Sequence, residues 1–233
     1  MRSVEDAIRV AETLTPVPVI GRSEPGSEER EISPHRFVGG NVNAAELGGS
    51  PEHAAIGEAR LQSAARMEIR APGSVRAGRA LSFDVVVENV GAGHNLPTSL
   101  TELREMWVEL KVSTSDGRLL FQSGQLEPNA DIPAGAMRFG ALAGDAQGEV
   151  TYKPWEISQF LFKRLIPPRG SESERFRFEV PGGVSGELQI EATLFYRVAP
   201  PKVVAALMGD EAFEVKHVAM AHAQASLAVA GAD

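Results

Sequence analysis

From Met67 onward the apolar positions fall on alternate residues. The segments MEIRAP, LSFDVVVENV, REMWVELKVST, RLLFQSG, ERFRFEVP and GELQIEATLFYRV show alternation or enrichment in β-branched and aromatic residues, and APGSVRAGRA, SDGR and VPGGVSG punctuate them with turn residues. Successive side chains of a strand point to opposite faces, so each segment offers one face to a core. Short strands separated in this way predict a mainly β fold, an Ig-like antiparallel β-sandwich of about six to eight strands. Its expected core comprises Phe83, Val85, Val87, Trp107, Leu110, Phe176, Phe178, Ile190 and Tyr196 or its neighbours. Trp107 and Leu110 are an odd number of residues apart, which demands either a bulge or burial on both faces of their strand. A short apolar helix in PKVVAALMGD precedes a last, loosely alternating strand near 214–229.

Upstream the period changes. In SVEDAIRVAETL, residues 3–14, Val4, Ile8 and Ala11 share one helical face, with Ser3 placed as N-cap. The stretch TPVPVIGRSEPGSEEREISPHRF has neither period and reads as a loop or as an extended arm that gains order by lying on another surface. NAAELGGSPEHAAIGEARLQSAAR, residues 43–66, reads as a helix broken near Gly48 and Gly49 that restarts after Ser50 with Pro51 at its first position. The expected organisation is an N-terminal extension of helix, arm and helix over residues 1–66, then a β-sandwich domain over 67–233.

The strand LSFDVVVE ends in NVGAGHNLPT, residues 89–98. Gly91 and Gly93 permit backbone angles that other residues resist, and Pro97 fixes its own φ while pushing Leu96 toward extended geometry, so the loop is expected to be shaped. Asn89, Gly93, His94, Asn95 and Thr98 on this loop, with Arg104 beyond it, form the candidate partner-binding surface. Two readings stand side by side. In one, His94 closes the turn by a hydrogen bond, Arg104 ties down loop carbonyls and Trp107 fills the sandwich; in the other, His94 presents its imidazole to a ligand or partner. His35, in SPHRFVGGN, is a second candidate beside a Gly pair that implies close backbone approach. His217 and His222 are five apart, out of register for a shared metal on a strand or a helix, and His53 reads as a solvated helix residue.

Composition narrows the chemistry. A net charge of -8 disfavours a nucleic-acid or anionic-membrane surface. The absence of cysteine excludes disulfides, thiolate nucleophiles, Cys-ligated zinc and covalent haem attachment through Cys-x-x-Cys-His. No apolar run approaches the ~18–20 residues of a spanning helix. MRSVEDAIRV carries charges where a signal peptide has an apolar segment, so the chain as written stays in the cytoplasm unless a leader has been removed and Met1 is not the native start. No nucleophile elbow, phosphate loop or His-Glu-x-x-His motif occurs, and the chain is expected not to be an enzyme.

The stretch NVGAGHNLPTSLTELREMWVELKV, followed by DGRLLFQSG, resembles the C-terminal haem-free β-sandwich region of multihaem c-type cytochromes. There the pattern runs Asn-x-Gly-Ala-Gly-His-x-Leu-Pro-Thr, Arg-x-x-Trp and a later Ser-Gly. PHRFVGGN resembles the His-x-Phe-x-Gly-Gly-Asn element that follows their last haem-attachment motif, and with LQIEATLFYRV the likeness runs over roughly residues 33 to 200. The departure is the missing Cys-x-x-Cys-His motif. What the resemblance implies is a periplasmic or otherwise extracytoplasmic, non-catalytic accessory subunit. It would dock on and stabilise a cytochrome-containing electron-transfer complex, respiratory or photosynthetic. No haem would be held covalently, and His35 and His94 would be the candidate axial ligands to the haem of a partner c-type cytochrome. The alternative is a stand-alone module that binds a small ligand or metal at residues 91–98.

Overall fold

The structure is a computed structural model that describes residues 19–21, 25–26, 28–32 and 38–230. The helix expected over 3–14 and the candidate ligand His35 lie outside these residues. The chain divides into two compact units, Met1–Leu61 and Gln62–Asp233.

In the first unit β1 (Val19–Gly21) pairs antiparallel with β2 (Arg30–Ile32), Val19 lying opposite Ile32. Part of the arm is therefore a self-paired hairpin, with three residues to each strand, too few for alternation to reveal. Helix α1 (Val42–Leu47) starts at Asn41, whose side-chain oxygen accepts from the Ala44 amide at 3.3 Å, the usual way of satisfying a free N–H at a helix start. Helix α2 (Pro51–Ala64) begins at the expected proline. Between them Gly49 adopts φ +71°, a turn that a side chain would strain. The close approach inferred at the Gly39–Gly40 pair is at Gly40, where a Cβ would stand 2.8 Å from the Leu61 side chain.

The second unit is the sandwich. Its strands are β3 (Ala65–Arg70), β4 (Ser74–Arg76), β5 (Ala80–Asn89), β6 (Glu105–Thr114), β7 (Leu119–Ser123), β8 (Arg138–Gly144), β9 (Gln159–Arg164), β10 (Ser171–Glu179), β11 (Gly186–Arg197) and β12 (His217–Ala230), with helix α3 (Pro201–Met208) before the last. One sheet has the order β10-β5-β3, and the other β4-β12-β11-β6-β8-β9. A single edge of β6 is shared, β8 pairing with Met106 and Trp107 and β7 with Leu110–Ser113. Every pairing in the two sheets is antiparallel except that of β4 with β12.

The described strands outnumber the six to eight expected because β4, β8 and β9 escape the alternation. β4 is three residues inside a stretch that reads as a turn. β8, RFGALAG, is built from Gly and Ala, which have low strand propensity. β9, QFLFKR, has no apolar–polar period and is mostly exposed.

Between the sheets β6 contributes Met106, Val108, Leu110 and Val112, and opposite them on β11 stand Tyr196, Leu194, Ala192 and Ile190. Leu81, Phe83, Val85 and Val87 of β5 are buried on the other sheet. Phe83 stacks on Phe176 at 5.9 Å, and Phe121 of β7 stacks on Phe178 of β10 at 5.2 Å, which joins the sheets along one margin. Of the expected core, Phe178 and Tyr196 are only half-buried. Trp107 is fully buried, but on the face of β6 opposite to Leu110. Burial on both faces, not a bulge, resolves the odd spacing.

Candidate functional site

The 89–98 loop is organised by the side chain of Asn89, which is 1% exposed. Its Nδ2 donates to the carbonyls of His94 at 2.8 Å and Ile166 at 3.2 Å, and its Oδ1 accepts from the Ala92 amide at 3.1 Å. Three of the four hydrogen bonds available to the amide are thus made inside the loop and to Ile166, an isolated bridge residue just beyond β9. Leu96 and Ile166 exchange backbone hydrogen bonds at 2.9 and 2.8 Å, and the Leu96–Pro97 peptide is cis. Gly91 is the glycine this path requires, because a Cβ there would meet the Ser63 carbonyl oxygen at 2.2 Å; around Gly93 the space is open.

On this frame His94, Asn95 and Thr98 are exposed, while Leu96 and Pro97 are buried. His94 Nδ1 lies 2.9 Å from the Asn95 carbonyl oxygen. A carbonyl only accepts, so Nδ1 carries the proton, and in the neutral ring Nε2 is the lone-pair nitrogen. Arg104 does not reach the loop carbonyls. Its Nη1 donates to Val198 at 2.6 Å, just beyond β11. Among the described residues no group of three or more His, Asp or Glu side chains is placed to hold a metal ion. No helix there is long and apolar enough to cross a membrane.

A second cluster was not anticipated. The strap between β7 and β8, residues 124–137, closes over the outer face of β6 and packs Leu126, Ile132 and Ala136 around Trp107. It leaves β7 at Gly124, where φ is +80° and a Cβ would meet the Val108 carbonyl oxygen at 2.0 Å. Phe195 stacks on the indole at 5.5 Å, His217 meets it edge-on at 5.7 Å, and the Arg197 guanidinium lies 5.2 Å from its centre.

Arg197 is 2% exposed. Its Nε donates to Glu105 at 2.6 Å and its Nη1 to the Ala130 carbonyl at 2.7 Å. Ala130 holds φ +62° at the tip of the strap, a conformation an alanine adopts only when its surroundings impose it. Arg138 stands across from Trp107 on β8, its Nη2 3.9 Å from Glu105 and its guanidinium over the Phe162 ring. Lys202 of α3 pairs with Asp131 of the strap at 3.0 Å. Burial pushes the Tyr152 hydroxyl pKa up, with Lys202, Glu105, Asp131 and Arg138 all within electrostatic reach. His217 keeps part of its ring exposed, and the partial desolvation by its aromatic neighbours lowers its pKa; Glu109 opposes this and Arg197 acts with it.

The signal for this cluster was the odd step between Trp107 and Leu110. A Trp on the outer face must be covered by something, and the connection after β7 is the segment that covers it.

Exposed apolar side chains gather along another stretch of the chain. Trp155 is 78% exposed, and Val150, Phe160 and Leu161 are exposed in the β8–β9 connection and on β9. The end of β9 is fastened across to the other sheet, Arg164 reaching Glu172 at 3.2 Å and Glu174 at 2.6 Å on β10.

No protein-family model matches the sequence, and no curated protein matches it. Among solved structures the chain is similar to a penta-heme cytochrome c552 from Thermochromatium tepidum, with 16% identity and a TM-score of 0.56. The match covers 97% of this chain and 58% of that one, so the chain spans less than two thirds of the cytochrome's length. A CARDB domain from Pyrococcus furiosus, solved in complex with di-metal ions, matches at 12% identity over 72% of this chain and 94% of that one, with a TM-score of 0.34. The likeness to the cytochrome is one of fold alone. With no cysteine, covalent haem attachment is not possible in this chain.

Proposed function

We propose that this chain is a non-catalytic accessory module, working outside the cytoplasm, that docks on a c-type cytochrome or a larger electron-transfer complex and stabilises it. The observation that carries this reading is the fold match over 97% of the chain to a haem protein, in a sequence with no cysteine to attach haem. Haem would then reside on the partner.

The geometry of the 89–98 loop suits such a role. Asn89 fixes the loop from inside, so the exposed His94 is presented without a large ordering cost on contact. Its protonated Nδ1 faces a carbonyl and its Nε2 has no hydrogen-bond partner among the described residues, the arrangement that orients an imidazole toward an open iron position. The uncovered Trp155, Phe160 and Leu161 add apolar surface of a kind that marks contact regions.

The test is recovery of the tagged full chain from the periplasm and membranes of its own host. The expected result is co-purification of a haem protein, seen as a Soret absorption, in stoichiometric amount. Recovery of the intact chain with no haem protein would leave the docking role without support.

A further inference from the structure

The cluster under the strap holds more unpaired buried donors than the described residues offer unpaired buried side-chain acceptors. Trp107 and Arg197 are 0% and 2% exposed, yet among the described residues the indole Nε1 and the guanidinium Nη2 have no partner, and neither has the buried Nε of Arg138. Gln125 Oε1 is the only unpaired buried side-chain acceptor among the described residues. These donors belong to neighbours: both guanidiniums flank the Glu105 carboxylate, at 2.6 and 3.9 Å, and Arg138 faces Trp107 across the ladder. A buried donor without an acceptor bears its full desolvation penalty, and native structures rarely leave several together.

The geometry points to a small-anion site beneath the strap, in which a monovalent anion the size of a halide or short carboxylate accepts N–H bonds from Arg197, Arg138 and Trp107. The guest must accept and not donate, because the unpaired groups are mostly donors. It carries negative charge, because two guanidiniums share one carboxylate at this point. It is small, because the strap is held down over it by the Ala130 carbonyl on Arg197 and by Asp131 on Lys202. The site does not depend on the docking role proposed above.

The test uses the full chain carrying Trp155→Phe, which leaves Trp107 as the remaining one of two tryptophans. Emission and Tm are followed as chloride, nitrate or formate replaces gluconate at constant ionic strength. A saturable emission change and a rising Tm are expected with the small anions and not with gluconate, which is too bulky for the strap to cover. Arg138→Gln keeps the Arg197–Glu105 pair and is expected to fold. It should need roughly tenfold more anion to reach saturation, about what one charge-assisted hydrogen bond contributes. No saturable response to the small anions, a response equal to that in gluconate, or an Arg138→Gln midpoint equal to that of its parent overturns the site and leaves the buried donors to water.

Discussion

The 89–98 loop and the 124–137 strap each begin where a strand ends, β5 and β7, and both pass a glycine where a Cβ would strike a carbonyl, Ser63 at Gly91 and Val108 at Gly124. They differ in what holds them. The loop is fixed by a neutral amide, Asn89, that spends its donors and its acceptor on nearby backbone and brings no charge into the interior. The strap is fixed by a buried guanidinium, which brings a charge that Glu105 must offset and a donor that stays unpaired. A buried amide can be satisfied by backbone alone, so its loop is a finished frame whose outward side chains are free for contacts. A buried arginine has more donors than backbone readily matches, so its surroundings become a polar site.

Removing the charge anchor should have the largest effect. Arg197→Met leaves Glu105 with its close partner gone and releases the Ala130 carbonyl; a loss of about 3–5 kcal/mol is expected, read from urea unfolding. Glu105→Gln combined with Arg197→Met should recover part of that loss, because no carboxylate is then left without its partner. Equal losses in the single and double variants would mean that packing on Trp107, not the ion pair, holds the strap.

Asn89→Ala should cost less, about 1–3 kcal/mol, since the carbonyls of His94 and Ile166 and the Ala92 amide lose a partner but no charge is stranded. Amide exchange should quicken in residues 91–98 and remain slow in the strap. Faster exchange in both would show that the two regions open as one unit and would remove the contrast between them.

The contrast also explains what the sequence made legible. Strands with clean alternation, such as LSFDVVVEN, announce their inner face, and the loop after them announces itself through Gly, Asn and Pro. Asn89 is visible as a loop residue, but its inward turn depends on Ile166, which lies far along the chain. The strap cluster assembles Trp107, Arg138 and Arg197 from three strands, one of which, β8, has no readable period. Arg104 shows the limit in reverse: next to the loop in sequence, it bonds instead to Val198. Pairings between distant segments set these partners, and no local pattern encodes them.

His217 gives the strap a pH dependence of its own. Its ring is exposed on one side, but packing against Trp107 and Phe195 desolvates the other and lowers its pKa in the folded chain, opposed by Glu109 and helped by Arg197. Between that lowered value and the unfolded value, about 6.5, the unfolded chain binds the proton more readily. Stability is therefore full above pH 6.5 and falls as the pH drops toward the folded pKa, below which no more is lost on this account. The paired carboxylates Asp84, Glu68 and Glu156, also held low by their cations, lose their contribution only in a more acid range. His217→Phe keeps a ring against Trp107 and should flatten the slope between about pH 5 and 7, as read from Tm. An unchanged slope would assign the dependence to another group.

The smallest effect on stability is expected at His94, and that is what makes it informative. The imidazole is exposed and bonds only to the neighbouring Asn95 carbonyl among the described residues, so it takes no part in the Asn89 frame. His94→Ala should shift unfolding by no more than about 0.5 kcal/mol, the ordinary range for a surface change, and should leave amide protection in the loop as it was. With the frame intact, any consequence for a complex must come from the imidazole itself. If His94 ligates a partner's haem, the variant should still bind through the remaining surface, while the visible spectrum of the complex changes with the lost axial nitrogen. His94→Gln separates the two terms further, because it keeps a polar side chain at the rim and removes the nitrogen ligand. An unchanged spectrum with undiminished recovery would make the loop a spacer; a destabilised free chain would show that the frame reaches farther out than Asn89.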